Sequence, residues 1–361
     1  METWRLLDLG RAEPLVAQAF YEAVAEAVHR GVSPNTLILV QPDSPYACIG
    51  YHQSLEKEID LEYIEEAGLP VIRRSQGGGA TYLDSGQVFY QIIAKKSAAL
   101  PRNVDKLFEK LLAVTVESYR ELGVDAEFKP LNDVVVGGRK LSGNGAGVHE
   151  DVTILVGNFI MEMNYGLMAR VLKVPDEKFR DKMAKSMEQW VSSFKKELGE
   201  SPSPERIKEV YVDVFQRLMN IKLEPSEPPE AENKIFTEET KPRHVSREWL
   251  YMDAPKQKPG RAVKIAHEVK VIESDHKAGK LIRIRAEVKG TTIVDAQITG
   301  DFFVIPKEAI NELETKLSGV ELTEEALLTV VQGYYDEYNP ESPGVTPKDI
   351  VDAFLKLRVH L

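Results

Sequence analysis

The sequence predicts two domains, each with strands and helices interspersed. The chain runs to 361 residues, more than a single core usually serves. Apolar residues recur along it at both the helical and the strand period. A stretch rich in Pro and Glu at 224–243, and a hinge with two prolines and a glycine at 254–260, interrupt that pattern before it restarts. The expected division is a catalytic domain over 1–253, the hinge at 254–260 and an accessory C-terminal domain over 261–361.

The elements follow in order. Residues 13–30 read as a helix, with Phe20, Val24, Ala27 and Val28 on one face and Gly31 placed to end it. Residues 36–40 and 46–49 are apolar and β-prone, and Pro42 to Pro45 supplies turn material between them. A short helix at 61–67 and an extended run at 70–72 lead into a glycine-rich loop, and 88–93 reads as a strand. Residues 104–122 form an amphipathic helix that offers Leu107, Leu111, Val114, Val116 and Tyr119 for packing, with Gly123 as its stop. Residues 133–136, Gly137-Gly138 and 139–141 read as strand, tight turn, strand, and 152–163 is another β-prone run. Residues 175–199 and 202–219 have helical patterns, the first heavily charged. The 224–243 stretch reads as a surface connection, with Trp249-Leu250-Tyr251 as an apolar anchor after it. Beyond the hinge, 262–271, 281–288, 293–298 and 302–305 look like strands, and helices at 307–317 and 346–357 close the chain.

Composition narrows the function. Hydrophobic residues make up 43% and charged residues 29% of the chain, as in ordinary globular proteins. The formal net charge of -11 argues against a general nucleic-acid binder, which needs excess Lys and Arg to neutralise phosphates. Cys48 is the chain's one cysteine. It cannot form an internal disulfide or a Cys-rich zinc site, and it reads as a buried small residue. Residues 1–14 are charged throughout and lack the apolar run of a signal peptide, and no window approaches the apolar length of a membrane span. The expected location is cytoplasmic, with no membrane partner.

Two windows carry chemistry. The first is Arg73-Arg74-Ser75-Gln76-Gly77-Gly78-Gly79-Ala80-Thr81-Tyr82-Leu83-Asp84. Three glycines leave the backbone open to a ligand, and their N–H groups suit a phosphate or another anion. At a strand end Arg73 and Arg74 point to opposite faces, so one of them is expected to reach the ligand. The spacing fits neither a Walker loop nor a dinucleotide fingerprint. The second window is Asn132-Asp133, followed by Gly138-Arg139-Lys140-Leu141-Ser142-Gly143-Asn144-Gly145-Ala146-Gly147. Lys140 starts a stretch too rich in glycine for a helix. From there an ammonium can reach a carboxylate and a phosphate together, and offset charge that builds at an α-phosphate. The glycines at 145 and 147 suggest a mobile loop.

These residues resemble the lipoate–protein ligase A family, within the wider biotin/lipoate ligase and octanoyltransferase group. Ile49-Gly50-Tyr51-His52-Gln53 is similar to the family's early Ile-Gly-x-x-Gln element. The Arg73–Asp84 window resembles its Arg-Arg-x-x-Gly-Gly-Gly-Ala-x-x-x-Asp loop. Asn132-Asp133 with Lys140-Leu141-Ser142-Gly143 resembles its Asn-Asp…Lys-x-Ser-Gly element, and 152–163 the strand that follows. Two positions depart from the pattern: Gln76 replaces a small hydroxyl residue or glycine, and Leu83 replaces a histidine.

The resemblance implies an α+β fold, with mixed, largely antiparallel sheets and packed helices, plus a small α+β C-terminal domain. It implies that Arg74, Gly79, Ala80, Thr81 and Tyr82 line a nucleotide, and that Lys140 contacts both acid and nucleotide as the catalytic cation. It implies ATP, with Mg2+ on its phosphates, and lipoate as substrate; it names no metal ligands. The implied acceptors are lipoyl domains of 2-oxoacid dehydrogenase E2 or the glycine-cleavage H protein. The implied reaction forms lipoyl-AMP and passes the lipoyl group to an acceptor lysine, with Asp133 a candidate base for that amine. The alternatives are an octanoyl or lipoyl transferase of the same fold acting without ATP, a biotin ligase, and a non-catalytic lipoyl-binding protein. Biotin ligases use a Gly-Arg-Gly-Arg type of loop, which differs from the loop here.

Overall fold

Runs of Val, Ile, Leu, Tyr and Phe become strands in the computed structural model, which describes residues 1–95, 97, 99–101, 103–173, 177–252 and 269–361. The chain divides into two units. The first holds Met1–Ile49, Glu56–Arg74 and Ala80–Leu250; the second holds Gly50–Leu55, Ser75–Gly79 and Tyr251–Leu361. The predicted hinge at 254–260 and the first residues of the 262–271 strand lie outside the described residues.

In the first unit the strands are β1 (Glu2–Ala12), β2 (Thr36–Pro42), β3 (Tyr46–Ile49), β4 (Val71–Arg73), β5 (Thr81–Leu83), β6 (Gln87–Lys95), β7 (Glu127–Lys129), β8 (Asp133–Val136), β9 (Arg139–Gly143), β10 (Gly145–His149), β11 (Val152–Ile160) and β12 (Ile221–Pro225). Among the described residues the large sheet has the order β10-β11-β6-β2-β1-β12. β1 runs parallel to β2 and β12, whereas β2–β6, β6–β11 and β10–β11 are antiparallel. Two smaller sheets have the orders β4-β3-β5 and β7-β8-β9. β2 is buried at every position because helices cover both faces of the sheet around it.

Alternation along β6 sorts its side chains between those faces. On one face the Gln91 side-chain amide donates to Ala17 O at 2.8 Å, in the helix Pro14–His29, which opens on a proline that needs no N–H partner. Phe20, Val24 and Val28 of that helix pack with Ile38, Ile93 and Ile154. On the other face Tyr90 stacks on Tyr211 with ring centroids 4.6 Å apart, and Tyr119 stacks on Phe194 at 4.7 Å. Tyr119 and Tyr211 come from the helices Val104–Glu121 and Pro204–Met219.

The second unit contains an antiparallel meander of β13 (Val269–Lys277), β14 (Leu281–Lys289) and β15 (Thr292–Gly300). β14 alternates half-buried and buried positions, so one face carries Ile282, Ile284, Ala286 and Val288 into a core with Leu313, Val331 and Phe354. The helices Ala309–Leu317, Glu324–Tyr338 and Pro347–Leu355 supply those partners, the last opened by a Thr346/Asp349 capping box. Residues 50–55 and 75–79 pack with this unit: Gly300 N–H donates to His52 O at 3.0 Å and Gly78 N–H to Phe302 O at 3.1 Å.

Several sequence expectations change. The 224–243 connection is largely helical, as Glu230–Ile235, a π-helical turn Phe236–Thr240 and Lys241–His244. Its two large apolar residues anchor it side by side: Ile235 and Phe236 are buried, and Phe236 meets Phe20 at 5.3 Å. Its buried Glu232 pairs with Arg5 and accepts from Ser33 Oγ at 2.7 Å, so a charge that suggested solvent points inward. The charged N-terminus forms β1. The glycine stretch after Lys140 forms edge strand β10 rather than a loop. Residues 302–304 are buried without strand pairing, and Ile305 makes an isolated bridge to Glu341. The helix Glu324–Tyr338 was not anticipated.

Candidate functional site

The two arginines diverge as strand geometry requires. Arg73 ends β4 and is fully buried, with its Nε and Nη2 donating to Leu250 O at 3.2 and 2.8 Å. Trp249 Nε1–H returns a bond to Arg73 O at 2.9 Å. The 249–250 anchor therefore fixes the strand end from which Arg74 leaves. Arg74 N–H donates to Ile49 O at 3.0 Å, and its half-buried guanidinium reaches Cys48 Sγ at 3.6 Å. Cys48 itself is buried, and burial pushes its thiol up despite the nearby Arg74.

β5 pairs antiparallel with β3, Cys48 opposite Thr81 and Ala47 opposite Tyr82. Arg74, Thr81 and Tyr82 thus gather on the β4-β3-β5 sheet. Ala80 and Thr81 are half-buried and Tyr82 is buried, which pushes its phenol above the ordinary range, helped by the Asp84 charge. Gly79 is exposed and belongs to the segment that packs with the second unit.

Lys140 stands on another sheet of the first unit, in β9. Its ammonium meets Asp133 Oδ1 at 2.7 Å, and its carbonyl accepts from Ser192 N–H at 2.7 Å. A bulge in the β8–β9 pairing between Val134 and Val135 lies between these partners. The lysine side chain is 39% exposed, so the cation is held in place yet accessible.

The sequence reading gave no role to the buried amides around β9. Asn132 Nδ2 donates to Asn144 O at 2.5 Å, and Asn144 Nδ2 to Asn132 O at 3.0 Å. Asn144 Oδ1 accepts from Tyr90 Oη at 2.5 Å, and Tyr90 accepts from Thr115 Oγ1 at 2.8 Å. Gly143 N–H donates to Asn158 Oδ1 at 2.8 Å. A signal existed: Asn158 is an amide side chain within the mainly apolar run of β11, and Gln87 opens the mainly apolar β6. Among the described residues no three His, Cys, Asp or Glu side chains form a metal-holding group, and no helix is long and apolar enough to cross a membrane.

The chain is similar to known lipoylation proteins. It is 27% identical over 300 residues to the lipoate-protein ligase LplJ of Bacillus subtilis, covering 82% of this chain and 84% of that one. It is 28% identical over 273 residues to an octanoyltransferase LipM of Kyrpidia tusciae, covering 70% and 99%. A solved structure of a bi-partite lipoate protein ligase with its E2 lipoyl domain, from Thermoplasma acidophilum, aligns with a TM-score of 0.63 at 26% identity, covering 71% of this chain and 99% of that one. Residues 13–216 match the lipoyl protein ligase A/B catalytic domain and residues 272–354 the bacterial lipoate protein ligase C-terminus, so the chain belongs to the lipoate ligase family and carries that C-terminal domain on the same polypeptide.

Proposed function

We propose that the protein is an ATP-dependent lipoate–protein ligase. The observation that carries this reading is the pairing of an accessible, Asp133-held Lys140 with the burial of the chain's one cysteine. A transferase that stores its acyl group as a cysteine thioester needs an exposed, readily ionised thiol. Cys48 is buried within β3, the central strand between β4 and β5, and its thiol is pushed up.

In the proposed first step the carboxylate of the acid attacks the α-phosphorus of ATP and pyrophosphate leaves. Arg74, Lys140, the backbone of Gly79 and the residues Ala80, Thr81 and Tyr82 hold the nucleotide. Lys140 stays cationic and stabilises charge that grows on the α-phosphate and the acid oxygen. Mg2+ would ride on the phosphates, which suits an ion that usually needs few protein ligands beside a nucleotide. In the second step the amine of an acceptor lysine attacks the carbonyl of the mixed anhydride, and AMP leaves. The acceptors are a lipoyl domain of a 2-oxoacid dehydrogenase E2 or the glycine-cleavage H protein.

The octanoyltransferase relative favours a second reading, acyl transfer between carrier proteins without ATP. One experiment separates them. The protein is incubated with a lipoyl-domain acceptor and either ATP plus a mixture of lipoate, octanoate and biotin, or octanoyl carrier protein alone. The ligase reading expects an acid-sized mass increase and pyrophosphate release only with ATP; modification from the carrier without ATP would replace it. Lys140→Ala should cut pyrophosphate release roughly a hundredfold or more. Unchanged adenylate formation would remove Lys140 from this role.

A further inference from the structure

Beside Lys140 lies a buried relay of side-chain amides whose last atom has no protein partner. β6 and β11 pair with Gln87 opposite Ile160 and Phe89 opposite Asn158. Alternation therefore places Gln87 and Asn158 on the same face of the sheet. Gln87 is fully buried, and Asn158 is 9% exposed.

The direction of the relay is fixed by its first member. Gly143 N–H donates to Asn158 Oδ1 at 2.8 Å. A backbone N–H can only donate, so Asn158 must turn its oxygen toward Gly143 and its nitrogen away. Asn158 Nδ2 then donates to Gln87 Oε1 at 2.7 Å. Gln87 must meet that donor with its oxygen, which leaves Nε2 as the far, buried end of the relay. The usual ambiguity of amide orientation is thereby removed. Gln87 Nε2 is buried and finds no acceptor among the described residues, a situation native proteins rarely leave without purpose.

The relay begins next to the catalytic cation. A Cβ placed on Gly143 would lie 3.4 Å from Lys140 Cε, 3.7 Å from its Nζ and 3.9 Å from Asn158 Oδ1. The ammonium and the relay thus border the same point of β9. We propose that Gln87 Nε2–H is a recognition donor for an oxygen of the acid, first in its carboxylate and then in the acyl-phosphate carbonyl, with Asn158 as the positioning residue that sets its polarity. The site accepts an oxygen acceptor and rejects a donor group such as an amide N–H. It acts on the acid half of the reaction, not on the nucleotide. This inference rests on the ligase reading.

Two variants test it. Gln87→Met keeps the length of the side chain and removes the donor. Asn158→Asp keeps the acceptor for Gly143 but needs a donor from Gln87, which turns Gln87 to present its oxygen outward. Acid-dependent ATP–pyrophosphate exchange is measured at varied lipoate and varied ATP, with thermal unfolding to verify the fold. Both variants should raise the KM for the acid roughly tenfold, the equivalent of about 1.4 kcal/mol or one hydrogen bond, and leave the KM for ATP unchanged. An unchanged acid KM in Gln87→Met, as when a buried water satisfies Nε2, overturns the proposal. So does an effect confined to ATP, or an effect in Gln87→Met that Asn158→Asp does not share. If Gln87→Met does not fold, Asn158→Asp decides alone. If the parent protein shows no acid-dependent exchange, the ligase reading fails first. The same variants are then compared in octanoyl transfer, where the donor would still face the acyl oxygen and the same rise in acyl-donor KM is expected; its absence would overturn the inference as well.

Discussion

Lys140 and Asp133 face each other at 2.7 Å from neighbouring strands, and this geometry bears on the role of Asp133. A carboxylate engaged with an ammonium holds that ammonium's direction, which on the proposed ligase reading matters more for adenylation than for deprotonating an incoming amine. Asp133→Asn is expected to lower the rate of ATP–pyrophosphate exchange roughly tenfold, because a loosened lysine is misplaced against the reacting phosphate. Transfer from preformed lipoyl-adenylate should fall less. The reverse pattern, adenylation intact and transfer lost, would restore Asp133 as the base. At this scale the placement of Lys140 on a strand and the divergence of Arg73 from Arg74 were legible, because a glycine-rich stretch and a period of two are local signals. The relay through Asn158 and Gln87 was not, because it joins residues 71 positions apart in sequence that only β-sheet register brings together.

Elements show the same division between local and distant causes. The helix Val104–Glu121 and the β8–β9 hairpin with its two positive-φ glycines were readable from amphipathic spacing, a stop glycine and turn residues. β10 was hidden by its glycines, since its place at the edge of the sheet comes from pairing with β11. That β10–β11 hairpin is tied to the helix Pro14–His29 by charge. Asp151, at its turn, accepts from His29 Nδ1 at 2.8 Å and meets Lys95 Nζ at 2.9 Å. These two partners, His29 first, hold its carboxyl at about 2 against an ordinary 3.8. A depressed carboxylate contributes stability that is full above its unfolded pKa and lost as pH falls through the folded one. Asp151→Asn should therefore be slightly less stable than the parent at about pH 5, and the gap should narrow as pH drops from 3.8 toward about 2. Urea unfolding midpoints measured across that range provide the check; a gap that widens on acidification would contradict the assignment.

For the whole molecule, the glycine loop at 75–79 and residues 50–55 pack with the C-terminal strands. Added to Gly77, a Cβ would stand 2.2 Å from Phe302 O, so that glycine is required by the tail's backbone as well as suited to a ligand. No local reading of a triple glycine could have shown this. Truncation after about residue 253 removes the carbonyl that Gly78 N–H uses and the N–H of Gly300 that His52 O uses. Such a chain should lose adenylation more than transfer from preformed lipoyl-adenylate. Assaying the two steps separately tests this, and equal loss of both would point to simple destabilisation instead.

The parallel pairing of β1 with β12 matters before the enzyme ever meets a substrate. Glu2 stands opposite Ile221 and Leu6 opposite Pro225, so β1 waits for a strand made more than two hundred residues later. β2 can cover one side of β1 early, but the other side keeps its N–H and C=O groups unpaired until residues 221–225 arrive. Such contacts of long sequence separation slow folding, and an open strand edge invites pairing with another chain. The nascent protein is therefore most prone to aggregate during the interval in which β1 has emerged and β12 has not. Any internal insertion that delays β12 would be felt first as poor yield, and only afterwards as poor catalysis.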